Sequence, residues 1–230
     1  WAEAGVSCYS VDIQHAKGER REGNHVFVGA DVRHWLPPLG SKIVFFAAFP
    51  PCTHLAVSGA RWFRGKGLRR LAEAIDLFAV AADMAEWSGA PYLIENPVSV
   101  ISSRIRKPDQ TIQPWQFGHD ASKATCLWLD GLPPLKPTSI VMPRLVCCGI
   151  TLPDALGAYG CPNCCGEKRA VRRWGNQTDS GQNKLPPTAD RWKLRSATYA
   201  GIAAAMAEQW GVREKPRPLT GTLDLFAEAV

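Results

Sequence analysis

The segment "LRRLAEAIDLFAVAADMAEWSG" (Leu68 to Gly89) decides the fold, because it is a long stretch with a clear helical period. Apolar residues recur at the spacing of one helix face, and these are Leu71, Ile75, Phe78, Ala82 and Ala85. Gly89 is a candidate C-cap, since glycine readily adopts the left-handed conformation that ends many helices. The sequence therefore predicts an amphipathic helix with one face on a core.

Short apolar runs lie on both sides of this helix. "KIVFFAAF" (Lys42 to Phe49) precedes it, "PYLIEN" (Pro91 to Asn96) follows it, and "VSCYSVDI" (Val6 to Ile13) lies near the start of the chain. None alternates strictly, which is typical of strands buried on both faces of a parallel sheet. Because a strand, a helix and a strand form a right-handed crossover unit, the predicted class is α/β with an open, mostly parallel, doubly wound sheet.

Length and charge narrow the class of protein. A chain of 230 residues can form one domain with a substantial core. No apolar run approaches the roughly 18 residues of a membrane span, and no charged and then apolar leader opens the chain, so the prediction is a cytoplasmic protein. The net charge of +6 favours a polyanionic partner, with a solvated basic surface as the alternative.

Changes in composition divide the chain into four segments. Residues 1–138 are predicted to form the core domain, and residues 139–193 form a Cys-rich and polar segment, here called the Cys-rich lobe. Residues 194–211 contain "GIAAAMAEQWG", a short amphipathic helix expected to return to the core. Residues 212–230 are predicted to be a flexible, Pro-rich tail.

Two of the predicted strands end on residues that can carry chemistry. Pro50 and Pro51 stop the first strand, since proline donates no N–H to a ladder, and Cys52 follows at the turn. Glu95 and Asn96 end the second strand. Parallel strands joined by one helix end at the same sheet edge, where ligands bind, and a thiol beside a carboxyl group suits covalent catalysis. The alternatives are a small buried apolar residue for Cys52 and an ordinary turn for "ENP".

Taken together, "FPPC" (Phe49 to Cys52) and "ENP" (Glu95 to Pro97) resemble the DNA (cytosine-5) methyltransferases, and most closely the compact phage-type members. Hallmarks of that family are a Pro-Cys nucleophile loop and a Glu-Asn strand end. The likeness covers most of Trp1 to Gly211. It implies a methyl transfer to carbon 5 of a flipped cytosine, with Cys52 as nucleophile at carbon 6, Glu95 holding or protonating ring N3, and Asn96 bracing the loop.

The resemblance also implies S-adenosylmethionine as the cofactor. Asp12 in "SVDI" would bind the ribose hydroxyls, Asp31 in "GADV" would contact the adenine amino group, and Pro50 would lie against the cofactor. Turn or cap roles are the alternative for both aspartates. The family's first strand and its glycine-containing loop are expected before Trp1, so we expect an N-terminally incomplete member.

Double-stranded DNA is the partner that the resemblance implies. The family's Gln-x-Arg-x-Arg strand is missing, and "PWQFGHDASKATCLW" (Pro114 to Trp128) takes its place. Polar and cationic residues here and in the Cys-rich lobe are predicted to contact DNA: Gln116, Lys123, Arg173, Asn176 and Gln177. A surface hairpin and a solvated loop are the alternatives for these two stretches.

Five of the eight cysteines fall between Cys147 and Cys165, which favours a metal over disulfides in a reducing compartment. Cys161-Pro-Asn-Cys164 has the two-residue spacing of a zinc knuckle. The predicted zinc ligands are Cys148, Cys161, Cys164 and Cys165, with Cys147 as another candidate for the fourth position. Reduced thiols without a metal are the alternative.

The end of the chain, "LTGTLDLFAEAV" (Leu219 to Val230), has three interpretations. It is a plain tail, a displaced first strand, or a peptide that docks on the bacterial sliding clamp through Leu223–Phe226. Two other functions stay open for the whole chain. One is a catalytically silent DNA-binding relative, and the other is an enzyme of the same fold that modifies a free nucleotide or uses a modified one-carbon donor.

Overall fold

The structure is a computed structural model that describes residues 1–3, 5–154, 161, 163, 170–185, 188, 191–196 and 198–211. Cys164, Cys165 and the Leu223–Phe226 segment therefore lie outside the described residues. The strands and helices are β1 (Cys8–Val11), β2 (Gly18–Glu22), β3 (His25–Gly29), β4 (Phe46–Ala48), α1 (Phe63–Lys66), α2 (Leu68–Ser88), β5 (Tyr92–Pro97), β6 (Gln110–Ile112), β7 (Thr125–Asp130), β8 (Arg144–Cys147), β9 (Ile150–Leu152), β10 (Val171–Arg173), α3 (Arg191–Ser196) and α4 (Ala200–Trp210). Within these ranges, no helix combines the length and apolar character needed to cross a membrane.

The crossover unit predicted from the sequence forms the centre of the molecule. β4 pairs in parallel with β5, and α2 connects them. Gly89 caps α2 in the left-handed conformation, with φ of 61°, as predicted. On the inner face of α2, Phe78 and Ala85 are buried, and Leu71, Ile75 and Ala82 pack beside them.

The central sheet has the order β4-β5-β7-β6, and its second half corrects the prediction of a mostly parallel sheet. β7 runs antiparallel to both β5 and β6. The physical reason is the length of the connections. Parallel neighbours need a crossover, usually a helix, whereas only short helical turns, at Ile101–Ile105 and Pro114–Gln116, lie between these strands.

Apolar layers cover both faces of the central sheet. Successive residues of β5 point to opposite sides, so that Leu93 packs in the layer under α4 and Ile94 packs in the layer under α2. Trp128 of β7 is 1% exposed and lies edge to face against Phe78 of α2. The sheet and its two helices thus form one well-packed body that presents the strand ends.

Two smaller sheets complete the fold. One has the order β1-β3-β2, in which β1 and β3 are parallel, and the other has the antiparallel order β10-β8-β9 within the Cys-rich lobe. The predicted α/β class with open sheets is confirmed. The described strands divide among three sheets, so a single doubly wound sheet is not confirmed.

Candidate active site and thiol cluster

Cys52 lies in a tight turn directly after β4. Its carbonyl oxygen accepts hydrogen bonds from the amides of Leu55 at 3.0 Å and Ala56 at 2.9 Å. Leu55 is fully buried in the layer under α2, which fixes the turn to the core. The Cys52 thiol is half-buried, so the turn presents it at the sheet edge without closing it off from solvent.

The chain after Cys52 is paired to the chain after β5. The amide of Val57 donates to the carbonyl of Val98 at 3.1 Å, and the amide of Val100 donates to the carbonyl of Leu55 at 3.0 Å. These bonds hold the two loops side by side. The predicted proximity of the two strand ends is therefore realised in the backbone itself.

Asn96 connects the same two loops through its side chain. Nδ2 donates a hydrogen bond to the carbonyl oxygen of Pro50 at 2.9 Å. Asn96 is fully buried, and its Oδ1 has no hydrogen-bond partner within the described part of the chain. An unpaired buried acceptor is costly, and the hydrogen bond from Nδ2 to Pro50 is what holds the side chain in this position.

Glu95 influences the ionisation of Cys52. Burial raises the pKa of the Cys52 thiol, the Glu95 carboxylate raises it further, and the cations of Lys123 and Arg195 lower it. Burial likewise raises the pKa of Glu95, and Lys123 opposes that shift. The four groups form one electrostatic cluster, in which burial raises the pKa of the thiol and of the carboxyl group and Lys123 opposes both shifts.

Tertiary contacts bring the two cations to this cluster. β7 begins at Thr125, which pairs with Pro97, so the residue two positions before β7 lies near the end of β5. That residue is Lys123, which was predicted as a DNA contact. Arg195 of α3 was not predicted, and its Nη2 donates to Ser58 Oγ at 3.4 Å, close after the Cys52 turn. No local pattern in the sequence around Arg195 signals this position.

A pocket of about 220 Å³ opens beside the Cys52 turn. Its lining includes His54, Arg64 and Lys66, and the Nζ of Lys66 donates to the carbonyl of Thr53 at 2.6 Å. Burial lowers the pKa of His54, and the neighbouring charges of Lys66 and Arg70 lower it further. The pocket is thus cationic without needing a charged histidine.

The two predicted cofactor aspartates have local partners. Asp12 follows β1, is exposed, and accepts a hydrogen bond from the amide of Gln14 at 2.8 Å. Asp31 caps the helical turn Val32–His34 and pairs with Arg33, whose hydrogen bonds lower the pKa of Asp31 to about 2. Both aspartates occupy the turn and cap roles that the sequence left open.

Four of the residues predicted to contact DNA use their side chains within the protein. Gln116 Oε1 accepts from the amide of Gln113 at 2.7 Å. In the Cys-rich lobe, Arg173 Nε donates to the carbonyl of Asp179 at 2.9 Å, and Gln177 Oε1 accepts from the amide of Trp174 at 3.1 Å. Asn176 makes two hydrogen bonds to the backbone of Ser122. Direct contact of these residues with DNA stays a prediction.

Three thiols meet in the Cys-rich lobe. The sulfur atoms of Cys147, Cys148 and Cys161 all lie within 4.8 Å of one another, and this group could hold a metal ion. Cys147 ends β8, and Cys148 and Gly149 turn the chain into β9 with positive φ values of 49° and 79°. The cluster contains the predicted Cys148 and Cys161 together with Cys147, the alternative candidate for the fourth position.

The fold and the site together define an α/β protein with a thiol, a carboxyl group and two cations at one edge of its central sheet. No family model, curated protein or solved structure matches the chain. The proposals below therefore rest on the residues themselves and on their arrangement.

Proposed function

We propose that this protein is a DNA (cytosine-5) methyltransferase. The observation that carries the proposal is the arrangement at the sheet edge, where Cys52 and Glu95 share one electrostatic cluster and Asn96 braces the Cys52 turn through Pro50. A thiol nucleophile needs a neighbouring acid to activate an unreactive ring, and the raised pKa of Glu95 suits that acid.

The proposed chemistry assigns each group one task. The Cys52 thiol loses its proton to solvent, its sulfur forms a bond to carbon 6 of the cytosine, and the electrons of the bond between carbons 5 and 6 move toward carbon 5. Glu95, protonated, donates a hydrogen bond or its proton to ring N3, where negative charge develops. After carbon 5 is methylated, loss of its proton to solvent expels Cys52 and restores the double bond. The base must leave the helical stack for Cys52 to reach carbon 6.

S-adenosylmethionine, when bound, supplies the methyl group as an electrophile and departs as the neutral thioether. Asp12 and Asp31 would hold it, since carboxylates accept hydrogen bonds from hydroxyl and amino groups and both follow parallel strands of one sheet. Asp12 is exposed and available. Asp31 would share its carboxylate with Arg33, and it stays ionised near neutral pH because its pKa is about 2. Pro50 of the Cys52 turn is the third proposed contact.

A DNA substrate is supported by charge beside the nucleophile. The pocket that holds His54, Arg64 and Lys66 adjoins the Cys52 turn, and the chain has a net charge of +6. Phosphate groups are attracted to such a surface without regard to base sequence. We assign this pocket to the backbone of the nucleic acid and the Cys52 edge to the flipped base.

DNA containing 5-fluorocytosine tests the assignment, because fluorine does not leave carbon 5 as a proton does. With S-adenosylmethionine present, we expect a covalent adduct on the Cys52 peptide, seen by mass spectrometry. Cys52→Ser should give no adduct, whereas Cys8→Ser, which changes another half-buried thiol, should react like the parent. DNA binding without an adduct in the parent would overturn the proposal in favour of a silent DNA-binding relative.

We also propose that the Cys-rich lobe holds a structural zinc ion. Four sulfur ligands about 2.3 Å from zinc lie about 3.8 Å apart at tetrahedral angles. The sulfur atoms of Cys147 and Cys148 are 3.8 Å apart, and that of Cys161 lies within 4.8 Å of both. The spacing of the three thiols thus fits the ion, and Cys164 or Cys165 is the proposed fourth ligand.

A further inference from the structure

The loop that carries Lys123 is held from two sides. On the core side, Gln113 Oε1 accepts a hydrogen bond from the amide of Lys123 at 2.9 Å. On the lobe side, Asn176 Oδ1 accepts from the amide of Ser122 at 3.0 Å, and Asn176 Nδ2 donates to the carbonyl of Ser122 at 2.9 Å. A side-chain amide that pairs with both backbone groups of one residue fixes the position and direction of that residue.

Further contacts dock the same two segments. The amide of Gly175 donates to Asp120 Oδ1 at 2.6 Å, and Arg144 of β8 pairs with Asp120 Oδ2 at 3.1 Å. The rings of Trp115 and Trp174 stack with centroids 5.4 Å apart and planes within 4°. The lobe therefore contacts the Lys123 loop at several points and not through Asn176 alone.

The thiol cluster is continuous with this docking surface. β8 ends in Cys147 and pairs with β10, and β10 leads directly into Trp174, Gly175 and Asn176. β9 also pairs with β8, so the thiol cluster and the strand that leads to Asn176 belong to one three-stranded sheet.

We propose that Asn176 is a positioning residue that holds Lys123 beside Cys52 and Glu95, so that the Cys-rich lobe sets the reactivity of the nucleophile. The role that the sequence suggested for Asn176 was contact with DNA. This inference rests on the proposed function, because that function is what makes Cys52 the nucleophile. The test is independent of the proposed function, because the reactivity of a thiol can be measured without any methyl transfer.

The experiment measures the rate at which iodoacetamide alkylates Cys52 as a function of pH, followed by mass spectrometry of the Cys52 peptide in the full chain. Only the thiolate reacts, so the profile reports the ionisation of Cys52. Replacement of the cation in Lys123→Met should move the profile to higher pH and slow alkylation near neutral pH about threefold or more. Asn176→Ala should act in the same direction.

The double variant is decisive. If Asn176 acts through Lys123, Asn176→Ala combined with Lys123→Met should react no more slowly than Lys123→Met alone. Ser180→Ala changes an exposed residue in the same lobe and should give the same alkylation profile as the parent. Circular dichroism checks that each variant is folded, and Asn176→Gln, which keeps the amide but displaces it, replaces Asn176→Ala if that variant does not fold.

A parent-like profile for a folded Asn176 variant would overturn the proposal, as would additive effects in the double variant or no effect of Lys123→Met. Failure of the proposed function would look different, since methyl transfer and the 5-fluorocytosine adduct would then be absent while the alkylation profiles still shifted as described.

Discussion

The side chain of Asn96 donates a hydrogen bond to the carbonyl oxygen of Pro50 at 2.9 Å, although 46 residues separate them in the chain. The bond joins the end of β5 to the turn that presents Cys52. Because Asn96 is fully buried, water cannot replace this bond at low cost. The position of the nucleophile therefore depends on a residue that is not itself expected to react.

Asn96→Ala should lower the free energy of unfolding by about 1–2 kcal/mol, since it removes the donor and leaves the Pro50 carbonyl without its partner. Urea unfolding measures the change. Asn24→Ala is the matched control, because Asn24 Nδ2 also donates to a backbone carbonyl, that of Ala2 at 3.1 Å, but at an exposed position. It should cost no more than about 0.5 kcal/mol. Equal losses in the two variants would show that the Asn96 bond does not support the turn.

Glu95→Gln should change how stability depends on pH. Burial raises the pKa of Glu95 above its ordinary value of 4.5. The unfolded chain then releases this proton at lower pH than the folded chain does, so the parent loses stability as pH rises from about 4.5 to the raised value. Glutamine does not ionise, so the stability of Glu95→Gln relative to the parent should increase across that window and level off above it.

Denaturant unfolding at a series of pH values measures this difference. Glu86→Gln, an exposed change on α2, serves as the control and should follow the parent. A constant difference between Glu95→Gln and the parent at every pH would contradict a raised pKa for the Glu95 carboxyl group at the sheet edge.

Metal content tests the thiol cluster. Protein purified under reducing conditions should carry about one equivalent of zinc, and Cys161→Ser should lose it because a ligand thiolate is removed. Cys8→Ser, a thiol change in β1, should keep the metal. Elemental analysis gives both values. Equal metal content in Cys161→Ser and the parent would remove Cys161 from the ligand set.

Gly201→Ala tests the packing of α4. A Cβ at Gly201 would overlap the carbonyl oxygen of Phe117, although alanine is otherwise the better helix former. The amide of Gly201 also donates to His119 Nε2 at 2.9 Å. We expect a loss of about 1–3 kcal/mol in the free energy of unfolding, as is usual for overpacking.

Gly65→Ala provides the comparison, since Gly65 lies in α1 with open space around it. That variant should be neutral or slightly more stable in a thermal or urea melt. A similar loss at both positions would mean that backbone freedom, and not the contact with Phe117, decides the cost.

Local sequence accounts for the crossover unit and for the placement of Cys52. The helical period of α2, its glycine cap and the apolar runs on either side are short-range features. Because the two strands are parallel, both end at one edge, which brings Cys52 toward Glu95 and Asn96. These residues could be grouped from the sequence because each lies next to an element whose period is strong.

The antiparallel β6 and β7 could not be predicted in the same way. Their apolar residues, such as Leu127 and Trp128, read as a buried strand in either direction. The length and structure of the connections decide whether a strand runs parallel or antiparallel to its neighbour. The connection after β5 contains only a π-helical turn at Ile101–Ile105, and the sequence there shows no helical period. The prediction of a mostly parallel sheet assumed that every pair of neighbouring strands is joined by a helical crossover. That holds for β4 and β5 but not for β6 and β7.

The sequence by itself thus determined the α/β class, the bounds of α2 and the shared edge that carries Cys52, Glu95 and Asn96, because these follow from local periodicity and from the parallel direction of two strands that a helix connects. Only the tertiary structure decided that Lys123 and Arg195 lie at that edge and that Asn176 pairs with Ser122. The physical reason is that a polar side chain can satisfy its hydrogen bonds or its charge with many partners. The packing of distant loops decides which partner each side chain meets, and no pattern in the neighbouring sequence predicts that partner.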